Sequence, residues 1–124
     1  MRRILLDTSF ILTIASKPLN LIEELEGIFG KVELLILEDT IKELKAISMR
    51  KSVKKAKQAK LALEFAMKLK IIKYDREGLV DDKILNYAVE NNLIVATMDK
   101  DLRKRLKAMN LSTITLKENR LLIF

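Results

Sequence analysis

A chain of 124 residues, 49% hydrophobic and 33% charged, is expected to form one globular domain over residues 1–124 and is too apolar to be disordered. The absence of Cys excludes disulfides, thiolate metal sites and thiol nucleophiles, and the absence of His excludes the commonest general base and every imidazole ligand, so chemistry falls to carboxylates, Lys or hydroxyls and any metal site favours Mg²⁺ or Mn²⁺ over Zn²⁺. A net charge of +7 suits a polyanionic partner, nucleic acid being the commonest, against the plainer alternative of a solvated Lys-rich surface.

The first element is a strand, Arg3 to Ser9. Ile4, Leu5 and Leu6 are apolar without alternation, so both faces are covered, as in the centre of a parallel sheet. Asp7 falls at its C-terminal end, where open α/β sheets bind ligands. A carboxylate there is held by donors, holds a cation, or shares with Thr8 and Ser9 the role of helix N-cap. A short buried helix over residues 9–15 follows, ending before Pro18. Asn20 then caps a helix facing inward through Leu21, Ile22, Leu25 and Ile28 and closed by Gly27 or Gly30.

Val32 to Leu37 reads as a second parallel strand. A helix from Glu38 turns Ile41, Leu44 and Ile47 inward, and Thr40 with Glu43 has the spacing of a capping box. A long helix is expected from Ser52 to about Ile71, buried along Val53, Ala56, Ala59, Leu63 and Ala66. Arg50, Lys51, Lys54, Lys55, Lys57 and Lys60 meet no acid before Glu64, a density of base that calls for an anionic companion. Ile71 to Tyr74 is a short third strand.

Val80 opens a helix with Ile84, Leu85 and Ala88 on one stripe. Asp81 lies one turn before that stripe and faces the body of the protein, whereas Asp82 turns outward. Asn91 and Asn92 end the helix. Leu93 to Thr97 is the fourth strand. Asp99 follows it, and then a helix with Leu102, Leu106 and Met109 inward and Arg103, Lys104, Arg105 and Lys107 outward. Ser112 to Leu116 is a fifth strand, and residues 120–124 fold back as an edge strand. The order of elements predicts a mostly parallel sheet with helices on both faces.

Asp7, Glu43, Asp81 and Asp99 thus all fall at one edge of that sheet. Capping explains each singly. Gathered in one cleft, they would repel by roughly several kcal/mol unless a divalent cation neutralised them. A hard cation beside a basic surface suggests phosphodiester hydrolysis, for which such an ion acidifies water and neutralises developing charge. No signal-peptide pattern and no long apolar run is present, so a cytoplasmic location without a membrane partner is expected.

Four stretches in this order and spacing resemble the PIN-domain superfamily of metal-dependent nucleases: Ile4-Leu5-Leu6-Asp7-Thr8-Ser9, the Glu43 helix, Asp81 to Ala88, and Ile94 to Leu102. The resemblance implies a five-stranded parallel sheet in the order 3-2-1-4-5, Mg²⁺ or Mn²⁺ held by Asp7, Glu43, Asp81 and Asp99, and supporting hydroxyls at Ser9 and Thr97. A slip of one or two residues would bring in Asp82 or Asp101 instead. It further implies an endoribonuclease, and the base-dense stretches would then hold the RNA backbone through Arg50, Lys51, Lys54, Lys55, Arg103 and Lys104. The doubled Asp81-Asp82 and the Thr97-x-Asp99-x-x-Leu102 ending are most similar to the archaeal branch related to rRNA-processing nucleases, with a pre-ribosomal partner. The compact length also suits VapC-type toxins controlled by an antitoxin, and homodimers occur in the family. A non-catalytic RNA-binding module, with the acids as helix caps, is the third reading.

Overall fold

Ile4, Leu5 and Leu6 are fully buried, and they face opposite ways. They end β1 (Arg2–Leu6), which pairs in parallel with β2 (Val32–Leu37) on one side and β4 (Ile94–Ala96) on the other. Side chains alternate across a strand, so Ile4 and Leu6 enter one core and Leu5 the other. In this computed structural model, residues 1–16, 18–50 and 52–124 are described, the side chain of Leu19 aside.

The sheet runs β3-β2-β1-β4-β5-β6, with β3 at Lys70–Ile72, β5 at Thr113–Lys117 and β6 at Arg120–Ile123. All its pairings are parallel except β5 with β6, where Glu118 and Asn119 take positive φ in the tight turn. The expected order is therefore found, extended by the antiparallel edge strand. Helices α1 (Thr8–Ile14), α2 (Pro18–Phe29), α3 (Glu38–Ser48) and α4 (Val53–Ala66) supply Phe10, Leu25, Leu44 and Phe65 to the core that holds Ile4, Leu6 and Ile36. Helices α5 (Val80–Asn91) and α6 (Lys100–Ala108) cover the other face, packing Ile84, Ala88, Leu102 and Leu106 on Leu5, Leu35, Leu37 and Val95. Among the described residues no helix is long and apolar enough to cross a membrane.

Several boundaries differ from those read in the sequence. Helix α2 starts at Pro18 rather than beyond Asn20, because proline's fixed φ and missing N–H suit a first helical turn. Gly30, at φ +75, and not Gly27, closes it, its amide reaching the Glu26 carbonyl at 2.9 Å. Helix α4 ends at Ala66, not near Ile71: Lys70, Ile71 and Ile72 pair with Leu35, Ile36 and Leu37 as β3, so Lys73 and Tyr74 leave the sheet. Val53 is exposed, while Ala62 and Phe65 join the buried stripe. Met109 is half-exposed because Asn110, at φ 62, turns the chain and Leu111 takes the inward place. Asn92 ends α5 in the left-handed region, as expected.

The two-faced role of β1 gives a direct contrast. Leu5→Ala leaves a cavity in the α5–α6 face and is expected to lower unfolding free energy by about 2–5 kcal/mol. Val53→Ala, at an exposed helix start, is expected to change it by under about 0.5 kcal/mol. Denaturant midpoints measure both, and equal losses would contradict this placement of the core.

Candidate active site

At the C-terminal edge of the sheet β1 and β2 pass into helices almost without loops, β4 does so after Thr97, Met98 and Asp99, and β3 is joined to α5 through residues 73–79. Asp7 follows β1 directly and is the N-cap of α1, with its amide still bonded to the Ala96 carbonyl of β4 at 2.9 Å. Its side chain is 4% exposed and held by three donors. The Thr8 amide donates to Oδ1 at 2.8 Å, and the hydroxyls of Ser9 and Thr97 donate to Oδ2 at 2.9 and 2.7 Å. Three donors compensate the burial of a carboxylate that would otherwise be costly.

The two hydroxyls also tie the β4–α6 turn to β1. Ser9 Oγ accepts from the Met98 amide at 3.1 Å, and Thr97 Oγ1 accepts from the Asp99 amide at 3.0 Å. Asp99 is in turn the N-cap of α6, its Oδ1 accepting from the Asp101 and Leu102 amides at 2.9 and 3.2 Å. Ser9 and Thr97 therefore link Asp7 to the turn that carries Asp99.

Glu43 does not form the capping box expected with Thr40. Strand β2 runs straight into α3, so Leu37 takes the N-cap place with no side-chain bond, and Thr40 is fully buried with its hydroxyl unpartnered among the described residues. Glu43 Oε1 accepts instead from the Thr8 hydroxyl at 2.7 Å. Nothing in the sequence signals that bond between residues 35 apart.

Asp81, half-buried in the first turn of α5, accepts no hydrogen bond among the described residues. A helix N-terminus favours a carboxylate. Here burial outweighs that preference, and together with the charges of Asp7, Asp99 and Glu43 it raises the Asp81 pKa above 3.8, while Arg105 works the other way. Asp81 thus feels the other three acids at once. Among the described residues, however, no three acids stand close enough to hold one ion in the arrangement seen. The convergence is one of electrostatic range, with oxygen donors and an excess of negative charge that suit a hard dication.

The neighbouring acids are set apart. Asp82 is paired with Arg105 at 2.8 Å, and Asp101 is exposed on α6. Arg50, Lys54, Lys55 and Lys104 are exposed and make no ion pair among the described residues. Lys51 lies outside the described residues. Arg103 stacks over the Phe124 ring at 4.7 Å, so part of its guanidinium surface is already committed. The pair Lys83–Asp39, 2.6 Å apart and largely buried, also went unread in the sequence. A cleft of about 510 Å³ opens beside it, lined by Asp39, Tyr74, Arg76 and Lys83 but by none of the four acids.

The model of a PIN like domain matches residues 4–119 of this chain. The chain belongs to the PIN-like domain family. Ribonuclease VapC4 of Methanocaldococcus jannaschii is 33% identical over 124 residues, covering 97% of this chain and 94% of the relative. Among solved structures, the PIN domain endonuclease Utp24 superposes with a TM-score of 0.80 at 19% identity, covering 98% of this chain and 90% of that one. DNA-bound VapBC from Salmonella typhimurium gives 0.62 at 19%, covering 86% and 93%. These two likenesses are of fold. The PIN-like sheet and its acid-lined edge agree with the family assignment.

The crowding of charge has a consequence for stability. With its pKa raised in the folded state, Asp81 holds its proton more tightly folded than unfolded. Its ionisation therefore destabilises the fold, a penalty fully present above the raised pKa and gone once pH falls below 3.8. Asp81→Asn is expected to raise the melting temperature at pH 7, with the gain shrinking toward zero as pH drops through the carboxylate range. Melting curves against pH check this; a loss at pH 7, or a pH-independent gain, would contradict it.

Proposed function

We propose that this protein is a divalent-metal-dependent endoribonuclease of VapC type. The observation that carries the reading is Asp81: a half-buried carboxylate that accepts no hydrogen bond among the described residues, its pKa raised by burial first and then by the charges of Asp7, Asp99 and Glu43. Asp7 and Asp99 do cap helices, as the RNA-binding-module reading requires, but Glu43 and Asp81 cap none. A charge that destabilises the fold makes sense where a cation is a regular companion.

Asp7, Glu43, Asp81 and Asp99 would hold Mg²⁺ or Mn²⁺, both hard cations that suit carboxylate oxygens. When bound, the ion supplies Lewis acidity and lowers the pKa of water for attack on a phosphodiester. The protein's own part is orientation. Thr8, Ser9 and Thr97 fix Asp7, and the α6 amides fix one oxygen of Asp99 and leave its Oδ2 unengaged among the described residues. Arg50, Lys54, Lys55 and Lys104, with Lys51 near them in sequence, would hold the RNA backbone by charge, so binding falls steeply with salt.

The 33% identity to a VapC ribonuclease favours an antitoxin as protein partner. A role in rRNA processing with a pre-ribosomal partner is the second reading, supported by the Asp81-Asp82 pair and the Thr97-x-Asp99-x-x-Leu102 ending. Growth arrest on expression, relieved by co-expressing the product of a neighbouring small gene, favours the first. A homodimer paired through the exposed edge of β6 is compatible with either.

Cleavage of single-stranded RNA under Mn²⁺ or Mg²⁺ tests the reading. Chelator is expected to abolish it. Asp81→Asn is expected to lower it by more than the roughly 10–100-fold typical of outer-shell changes at metal sites, while the fold becomes more stable at neutral pH. Asp7→Asn is expected to lose cleavage with a lowered melting temperature, because an amide nitrogen would then face a hydroxyl or amide donor. Cleavage that survives chelator, or that persists in Asp81→Asn, would overturn the metal-dependent mechanism.

A further inference from the structure

We propose that Thr8 is a positioning residue joining two of the acids, its backbone amide holding Asp7 and its hydroxyl aiming Glu43 toward the divalent cation. This inference rests on the metal-dependent reading above. Thr8 is the first residue of α1, so its amide is among those that a helix start leaves without an intrahelical partner; it donates to Asp7 Oδ1 at 2.8 Å. A helical threonine commonly bonds its hydroxyl to a carbonyl three or four residues back. At this position those carbonyls, of Ile4 and Leu5, belong to β1. The hydroxyl donates instead to Glu43 Oε1 at 2.7 Å.

That bond is the single side-chain hydrogen bond made by Glu43 among the described residues. Glutamate is long and carries a large rotamer entropy, so an unheld Glu43 would have to be ordered when the cation arrives. Thr8 is 8% exposed and β-branched, hence shielded from competing water and restricted at χ1. It orders Glu43 beforehand and leaves Oε2 unengaged among the described residues. One residue thereby sets two carboxylates, Asp7 at the β1–α1 junction and Glu43 on α3.

The test uses the full chain and Mn²⁺ alone, followed by calorimetry, together with the Mn²⁺ dependence of single-stranded RNA cleavage. Thr8→Val keeps the shape and removes the donor. It is expected to weaken Mn²⁺ binding roughly 10–100-fold and to raise the Mn²⁺ midpoint of cleavage in proportion. The KM for RNA at saturating Mn²⁺ should stay near wild type. Thr8→Ser, which keeps the hydroxyl, should restore the affinity, and Thr8→Val added to Glu43→Gln should weaken binding no further. Should Thr8→Val fail to fold, Thr8→Ala read against Thr8→Ser carries the same comparison. Wild-type affinity in Thr8→Val, or equal weakening in Thr8→Ser, would overturn the positioning role alone. No Mn²⁺ uptake by the wild-type protein would overturn the metal-dependent reading and this inference with it.

Discussion

Asp7 and Asp81 answer the same electrostatic problem in opposite ways. Both carry charge at an edge where four carboxylates are drawn together. Asp7 is nearly inaccessible but satisfied, with the Thr8 amide and the Ser9 and Thr97 hydroxyls all directed at it. Asp81 is more open but accepts no hydrogen bond among the described residues, and burial, followed by the charges of Asp7, Asp99 and Glu43, works against its ionisation. Hydrogen bonds can settle individual carboxylates in a fold, but they do not cancel the net charge of the group. An edge built in this way keeps its negative potential for something that comes from outside the chain.

The fold supports that edge because its strand-to-helix junctions are so short. Strand β1 reaches α1 through Asp7 alone, and β2 reaches α3 with no intervening residue. Asp7 follows directly on Ile4, Leu5 and Leu6, which enter the two hydrophobic cores, so its place is fixed by the packing of β1. Close packing resists its displacement. The strain of like charges is held by burial of apolar surface elsewhere, which is the usual arrangement at sites where local stability is given up for chemistry.

Apolar runs without alternation made the central strands readable, since a strand covered on both faces leaves that trace whatever its neighbours are. The spacing to Ile84 and Leu85 set Asp81 inward and Asp82 outward; in the fold both are half-buried, and Asp82 is paired with Arg105. Local pattern failed where partners come from afar. Thr40 and Glu43 had capping-box spacing, yet the direct β2–α3 junction left Glu43 free to meet Thr8. The residues after Ala66 continued a helical pattern, but pairing with β2 drew Lys70 to Ile72 into the sheet. Lys83–Asp39 and Arg105–Asp82 join residues that no period in the chain relates.

In the proposed function Asp7, Glu43, Asp81 and Asp99 together form the seat of one or more divalent cations. Anomalous scattering from crystals equilibrated with Mn²⁺ tests it most directly. Manganese peaks bounded by these four carboxylates, and lost in Asp81→Asn, are expected. A Mn²⁺-saturated crystal whose anomalous peaks all lie elsewhere, with Asp81 unmoved and unliganded, would contradict it.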